Sequence, residues 1–111
     1  MTNEPTGDKH NVDDGVVNNT EKHRYEIRTD GELAGFAVYG RKGPGPGAEN
    51  GIVRMVHTEI DDRFEGRGLG SKLARGALDD VRAQGMKVLA DCPFIARWID
   101  RHPDYQDLLV G

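Results

Sequence analysis

With one cysteine, Cys92, among its 111 residues, the chain cannot form an internal disulfide or a zinc centre built on several thiolates. It also lacks long hydrophobic runs. No segment approaches the roughly 20 apolar residues that span a bilayer, and no signal-peptide core is present, so a cytoplasmic location is expected. The four histidines, His10, His23, His57 and His102, do not have the spacing of a metal site, and no metal is expected. Nor is there an excess of base: 15 Lys and Arg against 19 Asp and Glu give a formal charge of −4, which argues against a general affinity for nucleic acid or anionic membrane. Apolar residues make up only 36% of the chain and charged residues 31%, partly because the first 22 residues are polar. Residues 1–14 are expected to form a disordered acidic tail and residues 15–111 one domain, a usual size for a single core. No internal repeat is visible.

What is present is glycine at a telling place. The run EGRGLG, residues 65–70, follows an apolar stretch at 51–60 and opens an amphipathic one at 69–83, so strand, glycine turn and helix stand end to end. Gly66, Gly68 and Gly70 remove side chains that would keep a ligand from the backbone, and the helix start behind them offers unpaired N–H groups and a partial positive charge. Ordinary strand-to-helix turns also gather glycines, but the arrangement suits an anion, above all a pyrophosphate. A dinucleotide fingerprint would need glycine where Ser71 stands, and a P-loop would need Gly-Lys-Ser where the chain has Gly70, Ser71 and Lys72.

The turn resembles the coenzyme A pyrophosphate loop of the GNAT superfamily of N-acetyltransferases, Gln/Arg-x-x-Gly-x-Gly/Ala. Gly68 and Gly70 occupy the two small positions, while Glu65 replaces the Gln or Arg. A carboxylate cannot donate to a phosphate, so recognition would fall to the backbone and to neighbouring cations. The resemblance extends through RYEI (24–27), HTEI (57–60), EGRGLGSKL (65–73), ADCPFIARWI (90–99) and HPDYQDLL (102–109), in the order of small stand-alone GNAT-type proteins. It implies acetyl-CoA as cosubstrate, an amine acceptor that is a small molecule or a protein lysine or N-terminus, and a coenzyme site drawn from Thr58, Glu59, Ile60, Glu65, Gly66, Arg67, Gly68, Leu69, Gly70, Ser71 and Lys72. Between residues 63 and 75, Arg63, Arg67, Lys72 and Arg75 stand against Glu65 alone, a local charge opposite to the global one. Solvated helix faces are often basic without a ligand, but here the bases coincide with the glycine turn.

The remaining pattern reads as a small α/β domain. Strands at 24–28 and 33–39 flank Asp30-Gly31, a two-residue hairpin signal, so positions summing to 61 should face each other: Tyr25 with Phe36 and Ile27 with Ala34. Tyr25, Ile27, Ala34, Phe36 and Val38 would then share one face. Residues 41–50, rich in Gly and Pro, are expected to leave the ladder as a mobile loop. A third strand at 52–60 should carry Val53, Met55, His57 and Glu59 on one side and Arg54, Val56, Thr58 and Ile60 on the other. The main helix, 69–83, repeats Leu69, Leu73, Ala77 and Val81 and stops at Gly85; a fourth strand at 86–90 and a short helix at 93–101 follow. This is a mixed, mostly antiparallel sheet with the main helix after the third strand and a short C-terminal helix, a minimal GNAT-like fold by resemblance. That fold implies that the third and fourth strands splay to admit the pantetheine arm.

Two residues stand out as catalytic candidates. Cys92 precedes Pro93 and would cap the last helix, where a helix N-terminus favours a thiolate; a buried cysteine acting as a small apolar residue is the plain alternative. His57 could take a proton from the attacking amine, or simply bond within the sheet. Tyr105 could protonate a leaving thiolate, but packing is preferred, and Trp98 and Phe94 read as core of the short helix. The resulting expectation is an acetyl-CoA-dependent N-acetyltransferase. The alternatives are a non-catalytic acyl-CoA-binding or sensing module and a scaffold using the acidic tail.

Overall fold

The computed structural model describes residues 15–42 and 51–110. The expectations for residues 1–14 and for most of the 41–50 loop lie outside the described residues. Five strands, β1 (Val16–Asn19), β2 (Arg24–Thr29), β3 (Glu32–Lys42), β4 (Ile52–Ile60) and β5 (Lys87–Ala90), form one sheet in the order β1-β2-β3-β4-β5. The first four pair antiparallel, and β5 lies parallel to β4. Helix α1 (Leu69–Ala83) makes the crossover from β4 to β5, and α2 (Pro93–Asp100) follows. Short 3-10 turns lie at Asp62–Phe64 and Pro103–Leu108. At the far edge, the Val110 amide donates to the Val88 carbonyl, so the C-terminal segment covers β5.

The hairpin forms where Asp30-Gly31 places it, both residues having positive φ, 52° and 80°. Its register departs from the simple count. Arg28 faces Leu33 and Thr29 faces Glu32, both summing to 61, but a bulge then shifts the ladder so that Tyr25 faces Ala37 and Ile27 faces Gly35. Ala37 and Tyr39 therefore enter the core with Tyr25 and Ile27, while Phe36 and Val38 move to the other face and stay only half-buried. Packing is close next to the bulge: a Cβ on Gly35 would lie within 2.6 Å of the Glu59 carbonyl oxygen, so β3 and β4 approach there only with glycine. The ladder also runs further than expected, since Arg41 and Lys42 still pair with Val53 and Ile52. Strand β1 was not expected from its short VVNN sequence; Val16 holds it in place by packing on Gly76 of α1, where a Cβ would come within 2.8 Å.

Helix α1 has the expected bounds and buries the expected stripe, Leu69, Leu73, Ala77 and Val81, with Ala74, Gly76 and Leu78 beside it. It ends before Gly85, whose φ of 72° suits only glycine readily. Helix α2 starts at Pro93 behind Cys92 and ends one residue earlier than expected, with Arg101 as its cap. Its Ile95, Trp98 and Ile99 join the same core as α1, whereas Phe94 is exposed, a correction to its reading as core. Each fully buried Leu or Ile contributes about 1.5–3 kcal/mol relative to exposure. The opposite sheet face is uncovered among the described residues, and its side chains are exposed or half-buried, except for buried Glu26. Burial would raise the Glu26 carboxyl, but hydrogen bonds from Arg24 and Asn19 and the charges of Arg24 and Arg28 outweigh it and hold it below its ordinary value.

Candidate functional site

The site is built where the β4–β5 ladder stops. The two strands pair only from Ile52 with Lys87 to Met55 with Ala90. There the Met55 carbonyl accepts from both the Asp91 and Cys92 amides, at 3.0 and 2.9 Å, which turns the chain away from β4 into α2. Arg54 and Asp91 form an ion pair across this last rung. From His57 to Ile60, β4 keeps its β3 partner and has none on the β5 side among the described residues. The strands thus diverge into a cleft, as a ladder must when one strand ends in a helix cap.

A second bulge sets what faces the cleft. Val38 pairs with His57 but Tyr39 pairs with Met55, so Val56 is an extra residue in β4. The expected alternation fails at that point. Val53 and Met55 are buried beneath the helices, but beyond the bulge it is Thr58 and Ile60 that turn inward, while His57 and Glu59 turn to the uncovered face. Thr58 Oγ1 lies 3.4 Å from Cys92 Sγ, joining β4 to the start of α2. Cys92 is buried, 3% exposed, and its sulfur makes no capping bond to the helix. His57 Nε2 lies 2.8 Å from Glu59 Oε2, both side chains being more than half exposed. Cys92 and His57 are therefore not brought together. The one sequence hint was that Met55 and Val56, two apolar neighbours, break strict alternation.

Glycine conformation shapes the turn at the other end of the cleft. Asp61 closes the Asp62–Phe64 turn by accepting from the Arg63 amide at 2.9 Å, and buried Phe64 anchors it. Gly66 and Gly68 follow with φ of 83° and 75°, a region that L residues other than Asn and Asp rarely enter. Gly68 is the N-cap of α1 and offers no side chain, so the first-turn amides point outward without a side-chain cap. A Cβ at Gly66 or Gly68 would meet no atom within 4 Å, so there is room for a phosphate against the backbone. Glu65, Gly66, Arg67 and Gly68 are exposed, Leu69 is buried as the helix anchor, and Ser71 and Lys72 are exposed. These features fit a diphosphate group.

The cations around the turn are fewer than sequence proximity suggested. Arg63 pairs with Asp61 and Glu32, and those carboxylates raise its pKa. Arg75 turns to α2 and the C-terminal segment, where it donates to Tyr105 Oη at 3.3 Å and lies over the Trp98 ring. Arg67 stays beside the turn, its guanidinium over Phe64. Tyr105 is buried and donates to Asp79 at 2.8 Å; burial, then Asp79, push its hydroxyl above the ordinary range, which fits the packing role.

With this geometry in view, comparison places the chain among known proteins. Residues 24–108 match the model of the family described as GCN5-related N-acetyl-transferase. Protein NATD1 of Gallus gallus and of Mus musculus are each 36% identical over 52 residues, 47% of this chain and 47% of theirs, so the chain spans about half the length of the curated relatives it matches. The fold is similar to the NMR structure of a GCN5-like protein from Staphylococcus aureus, with TM-score 0.60, 19% identity and coverage of 92% of this chain and 91% of that one. It also resembles the ribosomal-protein-alanine N-acetyltransferase of Brucella melitensis, with TM-score 0.54, 19% identity and coverage of 79% and 61%. By its matched span of residues 24–108, this chain belongs to the GCN5-related N-acetyltransferase family.

Proposed function

We propose that this chain transfers an acetyl group from acetyl-CoA to an amine. The observation that carries the proposal is the continuity of three features: the cleft beyond Met55, the outward-facing amides after Gly68, and Cys92 between them at the start of α2. In this reading the turn from Glu65 to Lys72 holds the pyrophosphate, chiefly by the amides of Leu69, Gly70 and Ser71, with Arg67 and Lys72 adding charge. The unpaired edge of β4 at Thr58, Glu59 and Ile60 bonds the amides of the pantetheine arm, much as another strand would. Acetyl-CoA supplies the activated acyl group.

Transfer is direct in this proposal: the amine nitrogen bonds to the thioester carbon, the C–S bond breaks, and the departing thiolate takes a proton. The acceptor approaches from the uncovered face, where His57 and Glu59 stand. With His57 Nε2 donating to Glu59, Nδ1 is the atom that takes the amine proton. Cys92, with Thr58 against its sulfur, borders the thioester and shapes the cleft rather than carrying the acyl group.

Isothermal titration with acetyl-CoA followed by turnover against a panel of amines tests the reading. Binding with turnover supports it, binding without turnover moves the protein to an acyl-CoA sensor, and no binding overturns it. Intact mass after mixing with acetyl-CoA alone tests the route: direct transfer predicts no acetyl adduct and a Cys92→Ala variant that still turns over. A kinetically competent acetyl-Cys92 species would overturn the direct route. His57→Gln should cut turnover about a hundredfold with coenzyme binding kept, the usual size of a lost general base.

A further inference from the structure

Most hydroxyl groups of the described residues have a partner within the fold. Tyr25 donates to Asp80, Tyr39 to Asn18 and Tyr105 to Asp79, while Ser71 Oγ accepts from Trp98 Nε1. Thr20 and Thr29 lie just after β1 and at the end of β2, strands that do not border the cleft. Thr58 differs. The Val56 bulge turns it inward, and Ala37, its partner across the ladder, is too small to cover it, so Thr58 stays half-buried where β4 has lost its β5 partner.

The neighbour of Thr58 decides what its hydroxyl has left to give. Thr58 Oγ1 lies 3.4 Å from Cys92 Sγ, and the Cys92 amide is held to the Met55 carbonyl at 2.9 Å, so hydroxyl and thiol meet where β4 and β5 part. Cys92 is 3% exposed, and its S–H has no other acceptor among the described residues, so the thiol donates and Oγ1 accepts. A hydroxyl that accepts through a lone pair keeps its own proton to donate. Among the described residues nothing receives that proton, and the cleft beside it is the place assigned to the thioester.

We propose that the Thr58 hydroxyl donates to the thioester carbonyl oxygen of acetyl-CoA and stabilises the negative charge that gathers there during transfer, with Cys92 as the residue that positions it. The inference rests on the coenzyme reading above. As the amine nitrogen bonds to the thioester carbon, the carbonyl π pair moves onto oxygen, and the hydrogen bond from Thr58 strengthens as that charge grows. Thr58 keeps its proton when the C–S bond breaks and the carbonyl forms again. His57 stands on the uncovered face and Tyr105 is held by Asp79, so neither serves this oxygen.

The test reads the carbonyl itself and so needs no acceptor. Acetyl-CoA labelled at its acetyl carbonyl carbon is bound to the protein and observed by carbon NMR. A hydrogen bond draws electron density from that carbon, so the bound signal should lie downfield of the free one. It should return toward the free position in Thr58→Val, or in Thr58→Ala where valine disturbs the packing, and keep its displacement in Thr58→Ser. Affinity for coenzyme A, which has no acetyl group, should be unchanged in these variants by isothermal titration. With an amine from the panel, kcat should fall about a hundredfold in Thr58→Val at an unaltered KM, the usual cost of one oxyanion donor. Cys92→Ala should show a smaller fall that Cys92→Ser restores. If the bound signal is not displaced in the unaltered protein, or Thr58→Val keeps the displacement or the full kcat, this inference fails and the coenzyme reading stands. If Thr58→Val loses coenzyme A affinity and Thr58→Ser does not restore it, Thr58 is structural and the inference fails as well. If the unaltered protein binds neither coenzyme A nor acetyl-CoA, both fall.

Discussion

From Ile52 to Met55, β4 is paired on both sides, to β3 and to β5; from His57 to Ile60, beyond the bulged Val56, it is paired to β3 alone. The first half buries Val53 and Met55 and serves as the centre of the sheet, while the second leaves a row of backbone groups facing a cleft. Buried backbone groups must find partners, so the second half needs water or a ligand where the first needs only its neighbouring strand. The division follows from two local events, the Val56 bulge and the turn of Asp91 and Cys92 into α2. Stability is concentrated where the ladder is complete, and chemistry where it is interrupted. Variants in the two regions should therefore separate coenzyme affinity from folding stability.

The largest separation is expected at Gly68. Valine there must adopt a φ of 75° and places a branched side chain against the amides of α1, so titration calorimetry should show coenzyme affinity lower by at least about a hundredfold. Thermal unfolding should show a modest cost, about 1–2 kcal/mol for a left-handed residue. A folded Gly68→Val protein with normal affinity would remove the turn from the site.

Gly76→Ala is the converse. Its Cβ would come within 2.8 Å of Val16, so overpacking should cost about 1–3 kcal/mol in denaturant unfolding and loosen β1, with coenzyme affinity unchanged. Lost affinity at full stability would mean that the two regions are not separable.

Glu26 supplies a smaller, pH-dependent effect in the closed part of the sheet. Its folded carboxyl lies below the ordinary value of 4.5, so its contribution to stability is present above pH 4.5 and is lost as pH falls from there through the lower folded value. Stability measured at neutral pH and below pH 4.5 should fall less in Glu26→Gln than in the unaltered protein. At neutral pH the variant should be less stable by about 1–2 kcal/mol, since Arg24 and Arg28 remain partly in water. Parallel pH profiles would show that another carboxylate governs the acid limb.

The smallest effect is expected from Arg67→Gln: a few-fold loss of coenzyme affinity at low salt that shrinks at high salt, because exposed charges are screened over about 10 Å at 0.1 M. Arg75→Gln should instead lower stability through Tyr105 and Trp98 and leave the salt dependence unaltered.

The residue pattern by itself determined the local elements: the Asp30-Gly31 turn, the limits of β4 and α1, the stop at Gly85, and Pro93 behind Cys92 as a helix start. Each rests on interactions within a few residues, namely φ preference, hydrophobic period and capping, and these are written in neighbouring positions. The glycine turn was legible for the same reason. What only the tertiary structure decided is which side chains share a face. Two bulges put Ala37 and Tyr39 in the core where Phe36 and Val38 were expected, and separated His57 and Glu59 from Val53 and Met55. A bulge costs one unpaired residue locally and is set by packing between distant segments, Gly35 on Glu59 and Thr58 on Cys92, so alternation along a single strand cannot reveal it. The charges behave alike: proximity in sequence assigned Arg63 and Arg75 to the turn, but Arg63, besides its neighbour Asp61, pairs with Glu32, and Arg75 donates to Tyr105, both distant in the chain. Ion pairing follows distance in space, and the crossover of α1 between β4 and β5 sets that distance.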